Sequence, residues 1–208
     1  ISKRENVLLT QLFTSLNKSG QGVALTKQVT TSSLTQGSAI QIIIDYLKGA
    51  NLTTILEAAD NSGLALDIVL LTLTDYDVLP GIVKVIEGVF ENSNSTSSSG
   101  GLVSSIIGGI LDTLGLEITS VAGTDETVND VCTSLEKSGL GVSVVKQLFT
   151  DEDEYDFDIK LVSDIIDEKV ITLDDLLTAL KQSHLIAHII SDILGNFSYI
   201  KLVISFVI

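Results

Sequence analysis

Two histidines and an aspartate have the spacing best suited to chemistry. His184, His188 and Asp192 follow one another at i, i+4 and i+8, which places them on one face of a helix. An H-x-x-x-H pair can bind zinc, and a carboxylate one turn further on can act as a third ligand. The residues between the histidines are Leu185, Ile186 and Ala187, so the glutamate of an H-E-x-x-H site is missing. A polar stripe on an amphipathic helix explains the same spacing, and no metal and no cofactor is expected. The densest charge run, DEDEYDFD at 151–158, would attract calcium. An EF-hand loop needs Gly at its sixth position and Glu at its twelfth. Counting from Asp151 these are Asp156 and Val162, and from Asp153 they are Asp158 and Asp164. The run is therefore expected to be a solvated loop between two helices.

Nucleophile chemistry has no better footing. No G-x-S-x-G elbow, P-loop or dinucleotide-binding glycine pattern occurs in a strand–helix context. The single Cys132 lies at an apolar position in NDVCTSL and reads as a buried, inert thiol; no disulfide can form within the chain. The expectation is a protein that is not an enzyme. Carboxylate pairs among the 27 acidic residues are the one route left to an acid/base hydrolase.

The elements that would position these residues repeat. SLNKSGQGVALTKQV (15–29) returns as SLEKSGLGVSVVKQL (134–148), 119 positions later. LTTILEAADNSGLALDIVL (52–70) aligns with LDDLLTALKQSHLIAHIIS (173–191) at an offset of 121, and LNKSGQGVAL (16–25) with ADNSGLALDI (59–68) at 43. Four copies of one helix–turn–helix unit follow, centred on Ser19-Gly20, Ser62-Gly63, Ser138-Gly139 and Ser183-His184. Gly20, Gly63 and Gly139 are helix-turn punctuation, because glycine adopts the left-handed conformation that ends a helix. Lys18 and Lys137 fall in the last turn, where a cation complements the helix dipole. His184 replaces the glycine in the fourth copy, so that turn is expected to differ or to run on as continuous helix. Thr172 and Asp175 form a capping box with Asp in place of Glu, Asp60 or Asn61 could cap the helix after Ser62, and Pro80 fits the first turn of a helix. Apolar spacing is helical throughout, as in Val7/Leu8, Leu12 and Leu16, and eleven to thirteen short helices are expected.

The fold class is thus all-α, with tandem duplicated helical-hairpin repeats forming two homologous halves. Residues 1–4 read as residual propeptide, 5–91 as the first half, 92–101 (NSNSTSSSGG) as a Ser/Asn/Gly linker, 102–123 as an apolar connecting helix and 124–208 as the second half. The formal net charge of −15 argues against nucleic acid and against anionic lipid. LVSSIIGGILDTLG (102–115) carries small residues that would let helices approach closely in a bilayer, and 185–208 is long enough to span one. Asp112, His188, Asp192 and Lys201 interrupt these stretches, so buried core is favoured over membrane insertion. Lys3-Arg4 before Glu5 has the form of a kexin-type processing site. Among the N-x-S/T sequons, Asn94 is the best glycosylation candidate, with Asn51 and Asn17 next and Asn196, in an apolar stretch, the worst.

LFTSLNKSGQG, NLTTILEAADNSGLALDIVLLTLTDYDVLPGIVKVIEG and the Lys3-Arg4 step together resemble the secreted opaque-phase-specific proteins of Candida-related yeasts. That resemblance implies a kexin-processed fungal glycoprotein that is secreted or wall-associated. It carries over no active-site residue. The expected function is binding or assembly through apolar helix faces, by self-association or by holding a hydrophobic, lipid-like ligand between the halves. The alternative is a membrane-active protein that inserts or forms pores through 102–115 or 185–208.

Overall fold

The computed structural model describes residues 6–92 and 126–207. Lys3, Arg4, Asn94 and the 102–123 segment lie outside the described residues. Among those described, the fold is all-α, with twelve α-helices, one 3-10 turn and no strand. The first six helices are α1 (Val7–Lys18), α2 (Gln21–Thr31), α3 (Gln36–Gly49), α4 (Leu52–Ser62), α5 (Leu64–Thr74) and α6 (Val78–Asn92). The second six are α7 (Glu126–Ser138), α8 (Leu140–Thr150), α9 (Tyr155–Asp167), α10 (Leu173–Ser183), α11 (Leu185–Gly195) and α12 (Phe197–Val207), with the 3-10 turn Glu152–Glu154 just before α9.

Four hairpins, α1/α2, α4/α5, α7/α8 and α10/α11, turn on one left-handed residue each: Gly20 at φ 71°, Gly63 at 90°, Gly139 at 69° and His184 at 55°. The serine before each does two jobs. Its hydroxyl donates to the carbonyl three residues back (Leu16, Ala59, Leu135 and Leu180, at 3.0–3.3 Å) and accepts from the amide two residues on (Gln21, Leu64, Leu140 and Leu185, at 3.2–3.4 Å). It therefore closes one helix and caps the next. Two expectations are corrected. The His184 turn neither differs nor runs on as helix; the serine bridge holds it left-handed although a Cβ makes that conformation costly. The helix after Ser62 is capped by Ser62 itself, not by Asp60 or Asn61. The Thr172–Asp175 capping box is present, with both reciprocal bonds.

The hairpins stand side by side in an order that is not their order in the chain. α7 packs between α1 and α4, and α10 packs on the far side of α4. In the second layer α8 packs between α2 and α5, with α11 beyond α5. The row therefore runs α1/α2, α7/α8, α4/α5, α10/α11. A leucine follows the left-handed residue of each inner or distal hairpin and enters a notch at a small residue of the next. A Cβ placed on Gly22 would lie 2.5 Å from Leu140 Cδ1, and one on Gly141 would lie 2.8 Å from Leu64 Cδ1. Leu185 packs against Ala65 in the same way, in a buried cluster with Ile189. The row closes with a polar residue: Gln21, in the leucine's position on the first hairpin, is exposed.

The helices outside the hairpins fill the flanks. α3 meets α9, where Ile40, Ile44 and Phe157 form a buried cluster. α6 crosses α8 and α9 so closely that a Cβ on Gly81 would collide with the Phe149 carbonyl, and one on Gly88 with Ile159. The stretch 185–208, expected to be long enough to span a bilayer, breaks at Gly195 and Asn196 into α11 and α12. No helix among the described residues is long and apolar enough to cross a membrane.

Two substitutions read this geometry in opposite directions. His184→Gly removes left-handed strain and should raise stability by about 1 kcal/mol in a urea titration. Gly81→Ala forces backbone apart at the α6–α8 crossing and should lower stability by about 3 kcal/mol.

Candidate functional site

α3 ends at Gly49, and the chain runs extended through Ala50 and Asn51 before α4 begins. Asn51 fixes that corner by accepting the Thr54 amide at 3.2 Å. Because α7 packs along α4 and not against α3, an open groove of about 1070 Å³ remains between the three helices. Tyr46, Ile55, Val128, Val131 and Cys132 supply its apolar wall, Asn51, Thr54 and Thr127 its polar edge, and Asp45 its charged lining residue. Tyr46 is 54% exposed, so its ring stands at the mouth. Cys132 is buried in a cluster with Ala58 and Leu64, and burial pushes its thiol up from the ordinary value. A thiol held protonated is a poor nucleophile. A second, smaller hollow of about 410 Å³ lies across the Ala50–Asn51 corner, with a mixed lining that includes Lys48, Asp174 and Ile171.

The residues singled out from the sequence fall elsewhere. His184 is the left-handed turn residue and His188 lies one turn into α11, with their rings 6.3 Å apart. His188 Nδ1 contacts Asp60 Oδ2 on α4 at 2.5 Å, while Asp192 is exposed. Among the described residues no group of three His, Cys, Asp or Glu is placed to hold a metal ion. The histidine thus tethers two neighbouring hairpins of the row. Asp60 was not paired with it from the sequence, because the neighbour relation between α4 and α11 crosses some 128 positions.

The acidic run 151–158 is not a solvated loop, and this expectation is corrected. It forms the 3-10 turn and the first turn of α9, and two of its carboxyls face inward: Glu154 is fully buried and Asp158 is 6% exposed. Gln147 Nε2 donates to Glu154 Oε1, while Glu154 Oε2 and Asp158 Oδ2 have no partner. Burial, reinforced by Glu154, pushes the Asp158 carboxyl up to about 7, and burial raises Glu154 as well. Asp151 stays on the rim, where its hydrogen bond from Lys27 at 2.6 Å lowers its pKa. Helical spacing marks positions 154 and 158 as one face, but only the packing of α2 and α8 against that face shows that it points inward.

The sequons separate by geometry. Asn17 Nδ2 donates to the Ser138 carbonyl at 2.9 Å, across the first two hairpins of the row, so that nitrogen is engaged. Asn51 is exposed and uses its oxygen for capping. Asn196, placed in an apolar stretch by sequence, is exposed at the α11–α12 turn.

No family model, curated protein or solved structure matches the chain.

Asn17→Ala removes a part-buried bond that joins two hairpins and leaves the Ser138 carbonyl without that donor. It should cost about 1 kcal/mol in chemical denaturation. Asn51→Ala, which removes only an exposed cap, should cost about the same through α4 alone. Hydrogen exchange distinguishes the two: the Asn17 variant should expose amides in both α1 and α7, and the Asn51 variant only those at the start of α4.

Proposed function

We propose that this chain is a secreted or cell-surface fungal protein, built by duplication of one helical hairpin, that acts by binding or assembly and not by catalysis. Its ligand on this reading is a hydrophobic, lipid-like molecule seated in the groove between α3, α4 and α7. The observation that carries the proposal is the groove itself: about 1070 Å³, with Tyr46 at its mouth and Ile55, Val128 and Val131 along its wall. That volume is at the upper end of small-ligand sites, and an apolar wall with a few polar groups is their usual lining. The polar edge at Asn51, Thr54 and Thr127 would orient a head group, and the single lining carboxylate, Asp45, disfavours an acidic one.

Duplication is supported by the shared turn chemistry of the four hairpins, serine and left-handed residue alike. Secretion and fungal origin rest on the resemblance to opaque-phase-specific proteins and on the Lys3-Arg4 step. The membrane-active alternative keeps one observation of its own. Leu194 and Phe197, 68% and 79% exposed, form an apolar tip at the α11–α12 turn.

Titration of the environment-sensitive probe N-phenyl-1-naphthylamine tests the binding reading. Saturable fluorescence enhancement with micromolar affinity is expected, and Val131→Asp should weaken it at least tenfold without altering the circular dichroism spectrum. Unsaturable enhancement, or affinity unchanged in Val131→Asp, would place the ligand elsewhere or remove it. Co-sedimentation with zwitterionic vesicles, lost in Phe197→Ser, would move the function to the α11–α12 tip.

A further inference from the structure

The corner where α9 begins contains a shortage of hydrogen-bond donors. Glu154 Oε2, Asp158 Oδ2 and Gln147 Oε1 are buried acceptors without a hydrogen bond; the Thr30 hydroxyl of α2 lies beside Glu154 but donates to the Thr26 and Lys27 carbonyls of its own helix at 3.0 and 3.2 Å. Glu154 and Asp158 are one turn apart, and Phe157 between them is buried against Ile40 and Ile44 of α3. The 3-10 turn packs on α2 and α8, and α9 packs on α2, α3, α6 and α8. Each of these elements brings a lysine, and each lysine is taken by another carboxylate. Lys27 of α2 bonds Asp151 and Asp153 at 2.6 and 2.9 Å, Lys48 of α3 bonds Glu168 at 2.7 Å, and Lys84 of α6 bonds Glu152 at 2.7 Å. Lys146 of α8 bonds Asp75 at 2.7 Å, and Lys160 of α9 itself lies 3.8 Å from Asp156. Asp45 on α3 and Glu87 and Glu91 on α6 add further negative charge to the surrounding elements. Two ionised carboxylates cannot remain buried here, because isolated buried charge is far costlier than a buried neutral acid. Protons supply the missing donors.

We propose that Glu154 and Asp158 form a proton-operated latch. While they are protonated, the 3-10 turn and the first turn of α9 stay seated against α2, α3 and α8; when they ionise, this corner opens to water. Such a device fits the protein to a mildly acidic medium and loosens it as the medium approaches neutrality. The direction follows from the carboxyls being harder to ionise in the fold than in the unfolded chain. The native state then holds more protons than the unfolded state between the two ranges, and stability falls as pH rises through that interval. The burial that raises Asp158 to about 7 puts the upper end of the interval near neutrality.

Urea unfolding of the full chain from pH 5.5 to 8 tests the latch. The folding equilibrium constant of the unaltered protein should fall at least tenfold between pH 5.5 and 7, then level off. Asp158→Asn, a neutral isostere, should flatten most of that slope and make the protein more stable than the parent at pH 8. A His184→Asn/His188→Gln variant, which removes both imidazoles, should retain the slope. Hydrogen exchange, corrected for intrinsic rates, should show amides 152–161 opening faster at pH 7.5 than at pH 5.5 in the parent alone. A parent profile that is flat over this range, or a slope that Asp158→Asn leaves intact, overturns the proposal. If Asp158→Asn does not fold, Glu154→Gln is read by the same criteria, and the exchange measurement on the parent stands independently.

Discussion

The structure depends on one packing contact repeated along a row: a leucine that follows a left-handed turn, inserted at a small residue of the next hairpin. Leu140 enters at Gly22, Leu64 at Gly141, and Leu185 against Ala65. The three leucines are 6–8% exposed, so each removes nearly its whole side chain from water. Burying one such side chain is worth about 2 kcal/mol, and the helices it joins are too short to persist alone. The turn geometry and the notch are therefore coupled. The left-handed residue aims the leucine, and the residue two places after the turn on the neighbouring hairpin decides whether it can enter.

This coupling explains sequence differences that otherwise read as noise. At the open end of the row the leucine's position is occupied by Gln21, which meets water. At the other end, the notch position of the fourth hairpin is Ile186, not a small residue, and among the described residues no further hairpin of the row follows it. His184 stands where the other hairpins have glycine, and the serine bridge holds it there. The helix class, the left-handed glycines, the lysines near helix ends and the Thr172–Asp175 cap could all be read from local sequence, because each depends on neighbours within four positions. The row order could not. Placing α7 between α1 and α4 depends on contacts across more than sixty positions to α4 and more than a hundred to α1, and no local pattern encodes that.

The same interleaving accounts for what sequence reasoning missed about the sites. The histidine spacing read as a polar stripe on one helix, and it could not show that His188 meets Asp60 from a hairpin that is adjacent only in space. The acidic run suggested solvent, yet its helical turn presents Glu154 and Asp158 to the α2–α8 face. The groove was expected only loosely, as a space between halves. It lies where the α3–α4 corner leaves α7 unsupported, and its walls come from both sides of the 93–125 segment. Candidate ligand groove, acid pair and hairpin row are thus consequences of one arrangement, in which neither side of that segment completes a core of its own.

That dependence can be measured directly. Residues 1–92 and 126–208 would be produced separately, and their unfolding followed alone and as an equimolar mixture by circular dichroism. The account predicts that each alone lacks a cooperative transition, because its leucines have no notch to enter, and that mixing restores one sharp transition in a 1:1 complex. A cooperative transition in either segment alone, unchanged on mixing, would contradict it.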